Sequence, residues 1–281
     1  MSNFKKTLLA ILPLAILLAG CGNQTTSSTA RKDVIIGTMA QPGDPILQHV
    51  KEAYEKKGDY TLSIQLFTDF TTPNFALSDG SIDANLFQHE PYLNTYNQKN
   101  NTDLFCAGKL YDCVYGGYSK KYDSLEKIPD GSKITIASDS SNMKRCLNIL
   151  AASSLLELNE LPATVNPSDI DSYIKTNTHK FIISPMSTDL IAASLDDEDV
   201  ALGLVNATFA IAAGLTSTQL LCQEKDPEHV NANIVACRKG DKSSQWIKDL
   251  ISVLESDDTK SFINSTFKGV VTPYFVDFVN V

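Results

Sequence analysis

The alternation of short apolar segments with helical segments is the feature that most limits the folds open to this chain. Residues 33–37 have the length and apolar content of a buried strand, and the apolar residues of 46–54 follow at helical spacing. Residues 60–66 alternate between apolar and polar side chains, as in a half-buried strand. Because a similar pattern begins again at residue 133, we predict an α/β fold in which helices pack on sheets. Further strands are predicted at 81–87, 114–118, 133–137, 181–183, 200–205 and 233–236, and further helices after Pro73, after Pro91, over 143–158, and in two closing segments at 246–254 and 262–267.

The N-terminus has the order of parts found in an export signal. Lys5 and Lys6 precede an apolar run over residues 8–19, which is shorter than the roughly 20 residues that a membrane-spanning helix needs. The run ends in Leu18-Ala19-Gly20-Cys21, which resembles the bacterial lipobox, where the cysteine is lipidated and the chain is cut before it. We therefore predict a signal peptide over 1–20, lipidation of Cys21 and a flexible polar tether over 21–32. An ordinary signal peptide, or an N-terminal anchor that happens to carry a cysteine, is the alternative.

Composition and motifs favour binding over catalysis. The formal net charge of −9 argues against nucleic acid as a partner, because phosphate contacts need a concentrated basic face. The sequence holds no phosphate-loop, dinucleotide, zinc-protease or nucleophile-elbow motif, and its four histidines lack metal-ligand spacing. We therefore predict no enzyme activity, no cofactor and no metal. For an unfamiliar enzyme, His89 is the candidate general base.

The cysteines that follow Cys21 are odd in number, so at least one thiol is free or pairs between molecules. Small buried apolar residues are the interpretation that we favour for most of them. Oxidation of a pair such as Cys106 and Cys113 is the alternative in an exported protein.

Three segments place polar side chains where a predicted strand gives way to a helix. They are residues 83–93, which include His89; residues 138–145, which include Asn142 and Arg145; and residues 202–209, which include Asn206. Ligands of open α/β sheets bind beyond the carboxyl ends of strands, and helix N-termini attract carboxylates. Each segment taken alone also fits a capped helix or a satisfied core residue.

Taken together, these segments resemble the NlpA-type lipoproteins, the methionine receptors of an ABC importer. The resemblance rests first on Asp83-Ala84-Asn85, Phe87-Gln88-His89 and Pro91-Tyr92-Leu93. It continues in family order through Gly117-Tyr118-Ser119-Lys120-Lys121, Asn142-x-x-Arg145, Ser194-Leu195-Asp196-Asp197, Asn206-Ala207-Thr208-Phe209 and Asn233-Ile234-Val235. It covers about residues 33–270, which is most of the chain.

The resemblance implies a two-lobed, periplasmic-binding-protein-like (type II) α/β fold with a hinge and a ligand between the lobes. Residues 33–112 and 231–281 would form one lobe, and 113–230 the other. Arg145 would pair with the ligand carboxylate, while Asn142, Asn206 and Asn233 would bond its carboxylate or ammonium. Phe70, Phe87, His89 and Tyr92 would wall the side-chain pocket.

The implied function is capture of methionine, in the L or D form, and its delivery to an ABC permease and its ATPase. The protein would be anchored through Cys21 in the cell membrane or outer membrane, facing the periplasm or the extracellular side. Cys113 stands where the family has a pocket aromatic, and Phe70 where it commonly has tyrosine. Another small amino acid or a short peptide is therefore an alternative ligand. A surface or adhesion lipoprotein without transport is the alternative of another class.

Overall fold

The computed structural model describes residues 32–280. The predicted signal peptide, the lipidation site Cys21 and nearly all of the tether lie outside this range. The strands are β1 (Lys32–Met39), β2 (Tyr60–Phe67), β3 (Ala84–His89), β4 (Phe105–Cys113), β5 (Tyr115–Tyr118), β6 (Lys133–Ala137), β7 (Glu157–Leu158), β8 (Ile174–Thr176), β9 (Ile182–Met186), β10 (Val200–Asn206), β11 (Leu220–Gln223), β12 (Asn233–Cys237) and β13 (Val271–Asp277). The helices are α1 (Gly43–Glu55), α2 (Thr72–Asp79), α3 (Glu90–Asn100), α4 (Ser140–Ala152), α5 (Ile170–Tyr173), α6 (Ile191–Ser194), α7 (Ala207–Ala212), α8 (Gln245–Leu254) and α9 (Asp257–Phe267).

Two mixed sheets organise these elements. The first sheet has the order β13-β4-β12-β3-β1-β2, and the second has the order β11-β5-β10-β6-β9. Strands β1, β2 and β3 run parallel, as do β6, β9 and β10. Strand β5 pairs antiparallel with β10, and β12 pairs antiparallel with both β3 and β4. The chain passes from the first sheet to the second between Cys113 and Tyr115, and it returns between Gln223 and Asn233. A separate two-stranded ribbon joins β7 and β8.

Each sheet buries apolar side chains against its helices. Around the first sheet, Val34 and Ile36 of β1 are fully buried with Leu47 of α1 and Leu250 of α8. Around the second sheet, the fully buried residues include Leu147 of α4, and the same apolar cluster takes in Met39 and Phe87 from the first sheet. Residues of the first sheet therefore pack directly against the core of the second.

Most of the predicted elements are confirmed, and three expectations are wrong. The helix predicted over 143–158 ends at Ala152, because Ser154 adopts a left-handed φ of 61° and the Leu155 N–H closes the turn on the Leu150 carbonyl at 2.9 Å. The strands β4, β7, β8, β11 and β13 and the short helices α5 and α6 were not predicted. The chain also does not close with helices, because β13 follows α9 and pairs with β4.

Neither a membrane span nor a metal cluster is found in the described part of the chain. Among residues 32–280, no helix combines the length and the apolar character that crossing a bilayer requires. Within the same residues, His, Cys, Asp and Glu side chains nowhere gather into a group that could hold a metal ion. The five cysteines of this range are free thiols, and Cys113, Cys146 and Cys237 are buried as the apolar interpretation expects.

Candidate functional site

The strand ends predicted from the sequence meet at one place between the two sheets. His89 ends β3 and caps α3, Asp139 follows β6 and caps α4, and Asn206 ends β10 and caps α7. Each cap accepts a backbone hydrogen bond from the first turn of its helix, so three helix N-termini surround the same space. This arrangement creates a positive potential that favours an anionic group.

A narrow cavity occupies this space and has a volume of about 10 Å³, the room that about one water molecule needs. Seven of the eight predicted ligand contacts line it, and so does Gln88, which was not predicted. The lining residues are Phe70, Phe87, Gln88, His89, Tyr92, Asn142, Asn206 and Asn233.

Aromatic rings form one wall of the cavity. The Phe70 ring lies 5.7 Å from Phe87 and 6.3 Å from Tyr92 between centroids. The Tyr92 hydroxyl donates to the Phe70 carbonyl at 2.7 Å, so Tyr92 presents its ring rather than a polar tip. Phe209 of α7, also not predicted, packs against Phe70 at 4.9 Å from the second-sheet side. The wall therefore suits an apolar or thioether side chain.

His89 joins the two sides of the cavity as a neutral imidazole. Its Nδ1 accepts the Tyr92 backbone N–H at 3.1 Å, so Nε2 carries the hydrogen and donates to Asn142 Oδ1 at 3.0 Å. Burial, reinforced by the positive charge of Arg145, lowers the pKa of His89 to about 3. With both ring nitrogens bonded and so low a pKa, His89 lacks the properties of a general base at neutral pH.

Two amides face the cavity with unused hydrogen-bonding capacity. Asn233 is 4% exposed, and its side chain makes no hydrogen bond with any residue in the range 32–280. The Asn206 Oδ1 accepts from the Thr208 N–H at 2.9 Å, while its Nδ2 has no partner among the same residues. These are the amide groups that a polar ligand in the cavity could bond.

The other amides around the cavity are already engaged. Asn142 donates from Nδ2 to Asp139 Oδ2 at 3.0 Å, which fixes the amide that accepts from His89. Behind the cavity, Gln88 Nε2 donates to Asn74 Oδ1 at 2.7 Å and to Asn85 Oδ1 at 2.9 Å. Asn74 returns a bond to Gln88 Oε1 at 2.8 Å. This closed network of three amides holds the end of β3 in place.

Arg145 does not line the cavity, and it lies directly behind Asn142. Its Nη1 approaches Asn142 Oδ1 at 3.4 Å. Its Nε and Nη2 donate to the Glu224 carboxylate, at 3.0 Å to Oε1 and 2.6 Å to Oε2. Burial opposes the charge of Arg145, but the Glu224 carboxylate overcomes this effect and raises the pKa of the guanidinium. The predicted contact between Arg145 and a ligand carboxylate stays a prediction.

Comparison with known proteins agrees with this architecture. The profile described as "NlpA lipoprotein" matches residues 34–275. A protein named methionine-binding lipoprotein MetQ, from Bacillus subtilis, is 32% identical over 266 residues, covering 94% of this chain and 96% of its own.

Two solved structures are similar over the same region. A nutrient-binding protein from Burkholderia cenocepacia, described as bound to methionine, is 30% identical with a TM-score of 0.79 and covers 86% of this chain and 100% of its own. A periplasmic substrate-binding protein of an ABC transporter from Coxiella burnetii is 34% identical with a TM-score of 0.78 and the same coverage. The predicted periplasmic-binding-protein-like α/β fold is thereby confirmed.

Proposed function

This chain belongs to the NlpA lipoprotein family, and we propose that it is a receptor that captures methionine outside the cytoplasm. The observation that carries the proposal is the pairing of an aromatic wall with the unpartnered amides of Asn233 and Asn206 around one small cavity. A zwitterionic amino acid needs fixed polar partners once it leaves water. A thioether side chain gains from contact with aromatic rings.

The ligand head group would lie at the helix N-termini, and its side chain against the aromatic wall. Asn206 and Asn233 would bond the carboxylate or ammonium directly, with the remaining N–H of Asn142 beside them. Phe70, Phe87 and Tyr92 would contact the thioether. Arg145 would stabilise the carboxylate from behind Asn142, through Nη1.

Closure of two lobes would be the mechanism of capture. Residues 33–112 and 231–281 would move as one lobe against 113–230, about the crossings near residues 112 and 231. The contacts that closure would make are the His89–Asn142 hydrogen bond and the Phe70–Phe209 ring contact, each of which joins the two sides. Hinge closure of this kind buries the ligand and creates the shape that a permease can recognise.

The chain would act in transport rather than in catalysis. Members of this family are named as lipoproteins and as binding components of transporters, and the neutral, doubly bonded His89 offers no base for chemistry. The lipid on Cys21 would anchor the body to the cell membrane or outer membrane, on the periplasmic or extracellular side. An ABC permease and its ATPase would receive the ligand.

Calorimetric titration of the lipoprotein in detergent, after unfolding and refolding to remove copurified ligand, tests the proposal. Both enantiomers of methionine, the other amino acids and methionine-containing dipeptides are titrated in turn. Saturable binding of methionine supports the receptor. Binding of another amino acid or a dipeptide moves the substrate and keeps the class, whereas no binding by any of them favours a surface lipoprotein without transport.

A further inference from the structure

Glu224 forms a bidentate ion pair with Arg145, the arginine that lies behind Asn142. Its two carboxylate oxygens accept from Nε and Nη2 of Arg145, at distances between 2.6 and 3.1 Å. The Arg145 side chain is buried, with 6% exposed, and Glu224 is partly buried, with 16% exposed. On the side of Asn142, the Arg145 Nη1 lies 3.4 Å from the Asn142 Oδ1. A ligand carboxylate therefore meets an arginine whose charge is already balanced.

Neighbouring groups hold both members of the pair in position. The Glu224 N–H donates to the Tyr115 carbonyl at 2.8 Å, and Asn231 Nδ2 donates to Glu224 Oε1 at 3.2 Å. The Arg145 guanidinium lies over the face of the Tyr115 ring, 4.6 Å from its centroid. Tyr115 begins the first strand after one crossing between the sheets, and Asn231 ends the other crossing. The ion pair is thus a fixed part of the junction between the sheets.

We propose that Glu224 is a specificity-determining residue of the site: as the resident counter-ion of Arg145, it limits how strongly the receptor prefers a ligand with a free carboxylate. This inference rests on the proposed function. With Glu224 ionised, the buried pair is neutral overall and attracts an incoming carboxylate only through Nη1. Without that charge, the ligand carboxylate becomes the only counter-ion for a buried guanidinium, and a ligand with a neutral end leaves that charge unbalanced.

The test compares methionine with methioninamide, which keeps the thioether and the ammonium but replaces the carboxylate by a neutral amide. The full lipoprotein in detergent is titrated with both at about pH 6, where both amines are protonated. We expect Glu224→Gln to raise the ratio of the two dissociation constants, amide over acid, at least about tenfold, which equals about 1.4 kcal/mol. Glu224→Asp keeps the charge and should stay within about threefold of the wild-type ratio.

A matched control removes one negative charge from the same segment without touching the pair. Glu228 is exposed and lies four residues further along the chain. Glu228→Gln should leave both dissociation constants and their ratio unchanged. A ratio that is unchanged or lower in Glu224→Gln overturns the inference, even if both ligands bind more weakly, because loss of structure alone would weaken them together.

Failure of the inference differs from failure of the proposed function. If the wild-type protein binds neither compound, the methionine receptor fails; if it binds methionine and the ratio does not respond to Glu224, only the role of Glu224 fails. Glu224→Gln leaves a buried cation, so it can be too unstable to purify alone. It is then refolded with methionine or with methioninamide: recovery with the acid only supports the inference, and equal recovery or none overturns it.

Discussion

The unpartnered amide of Asn233 gives the sharpest test of the cavity, because its two possible roles predict opposite results. Asn233 begins β12, is 4% exposed and makes no side-chain hydrogen bond within residues 32–280. If the amide serves a charged ligand group, Asn233→Ala removes a hydrogen bond that contributes about 1.5–3 kcal/mol to binding. This loss corresponds to a dissociation constant for methionine that is roughly 10- to 150-fold higher.

The same substitution should have little effect on the fold. Since the Asn233 side chain holds no other residue of the described range, its loss breaks no internal hydrogen bond. We therefore expect the free energy of unfolding in urea, measured without ligand, to change by less than about 1 kcal/mol.

Asn97→Ala is the matched control, with the opposite pattern. The Asn97 amide donates to the Leu104 carbonyl at 2.8 Å and accepts from the Leu104 N–H and the Thr102 hydroxyl. Its loss should cost about 1–3 kcal/mol of unfolding free energy and leave the affinity for methionine unchanged. The reasoning is refuted if Asn233→Ala binds methionine within twofold of wild type, or if it loses more stability than Asn97→Ala.

Three further predictions concern pH and closure. Burial holds the pKa of His89 at about 3 against 6.5, so the unfolded chain binds more protons below pH 6.5. The free energy of unfolding should therefore fall as the pH drops below 6.5, by up to about 1.4 kcal/mol per pH unit, and His89→Gln should weaken this pH dependence in urea-unfolding measurements. Burial, together with the negative charge of Asp277, raises the pKa of Glu255 from 4.5 to about 7. The protonated Glu255 side chain therefore contributes to the free energy of unfolding below pH 4.5, and this contribution is lost as the pH rises through 7. Glu255→Gln should therefore raise the thermal midpoint at about pH 8 and not at about pH 5, and equal shifts at both would contradict the assignment. Phe209→Ala removes the ring whose centroid lies 4.9 Å from that of Phe70, so calorimetry should show methionine binding at least about fivefold more weakly. An unchanged affinity would contradict this prediction.

The parts of the site that could be predicted from the sequence are those where local pattern and position coincide. Asn206 directly follows an apolar run and His89 comes two residues after one, and each ends a buried strand and caps the next helix. In an α/β fold such positions lie at the carboxyl edge of a sheet, so their convergence needed only the strand assignments. The same reasoning could have identified Phe209, because it lies three residues after Asn206 on the first turn of α7.

The missed elements lack a clear local signal. In β4 the burial alternates irregularly around Gly108 and Lys109, and its partners β12 and β13 come from the last fifth of the chain. Strand β13 contains Pro273 and lies at a sheet edge, where proline is tolerated but lowers the strand signal. Pairing between segments so distant in sequence is fixed by tertiary contacts, which no window of the sequence contains.

The counter-ion of Arg145 is the part of the site that no motif could supply, and it changes how the site is understood. Arg145 and Glu224 are 79 residues apart, and Glu224 lies in an irregular segment where an acidic side chain is unremarkable. Their pairing divides the site into an inner layer of neutral amides, which contact the cavity, and an outer layer of balanced charges, which lies next to the crossings between the two sheets. Substitutions in the inner layer should therefore alter affinity with little change in stability, whereas substitutions in the outer layer should alter both, since breaking a buried ion pair leaves a charge without a partner.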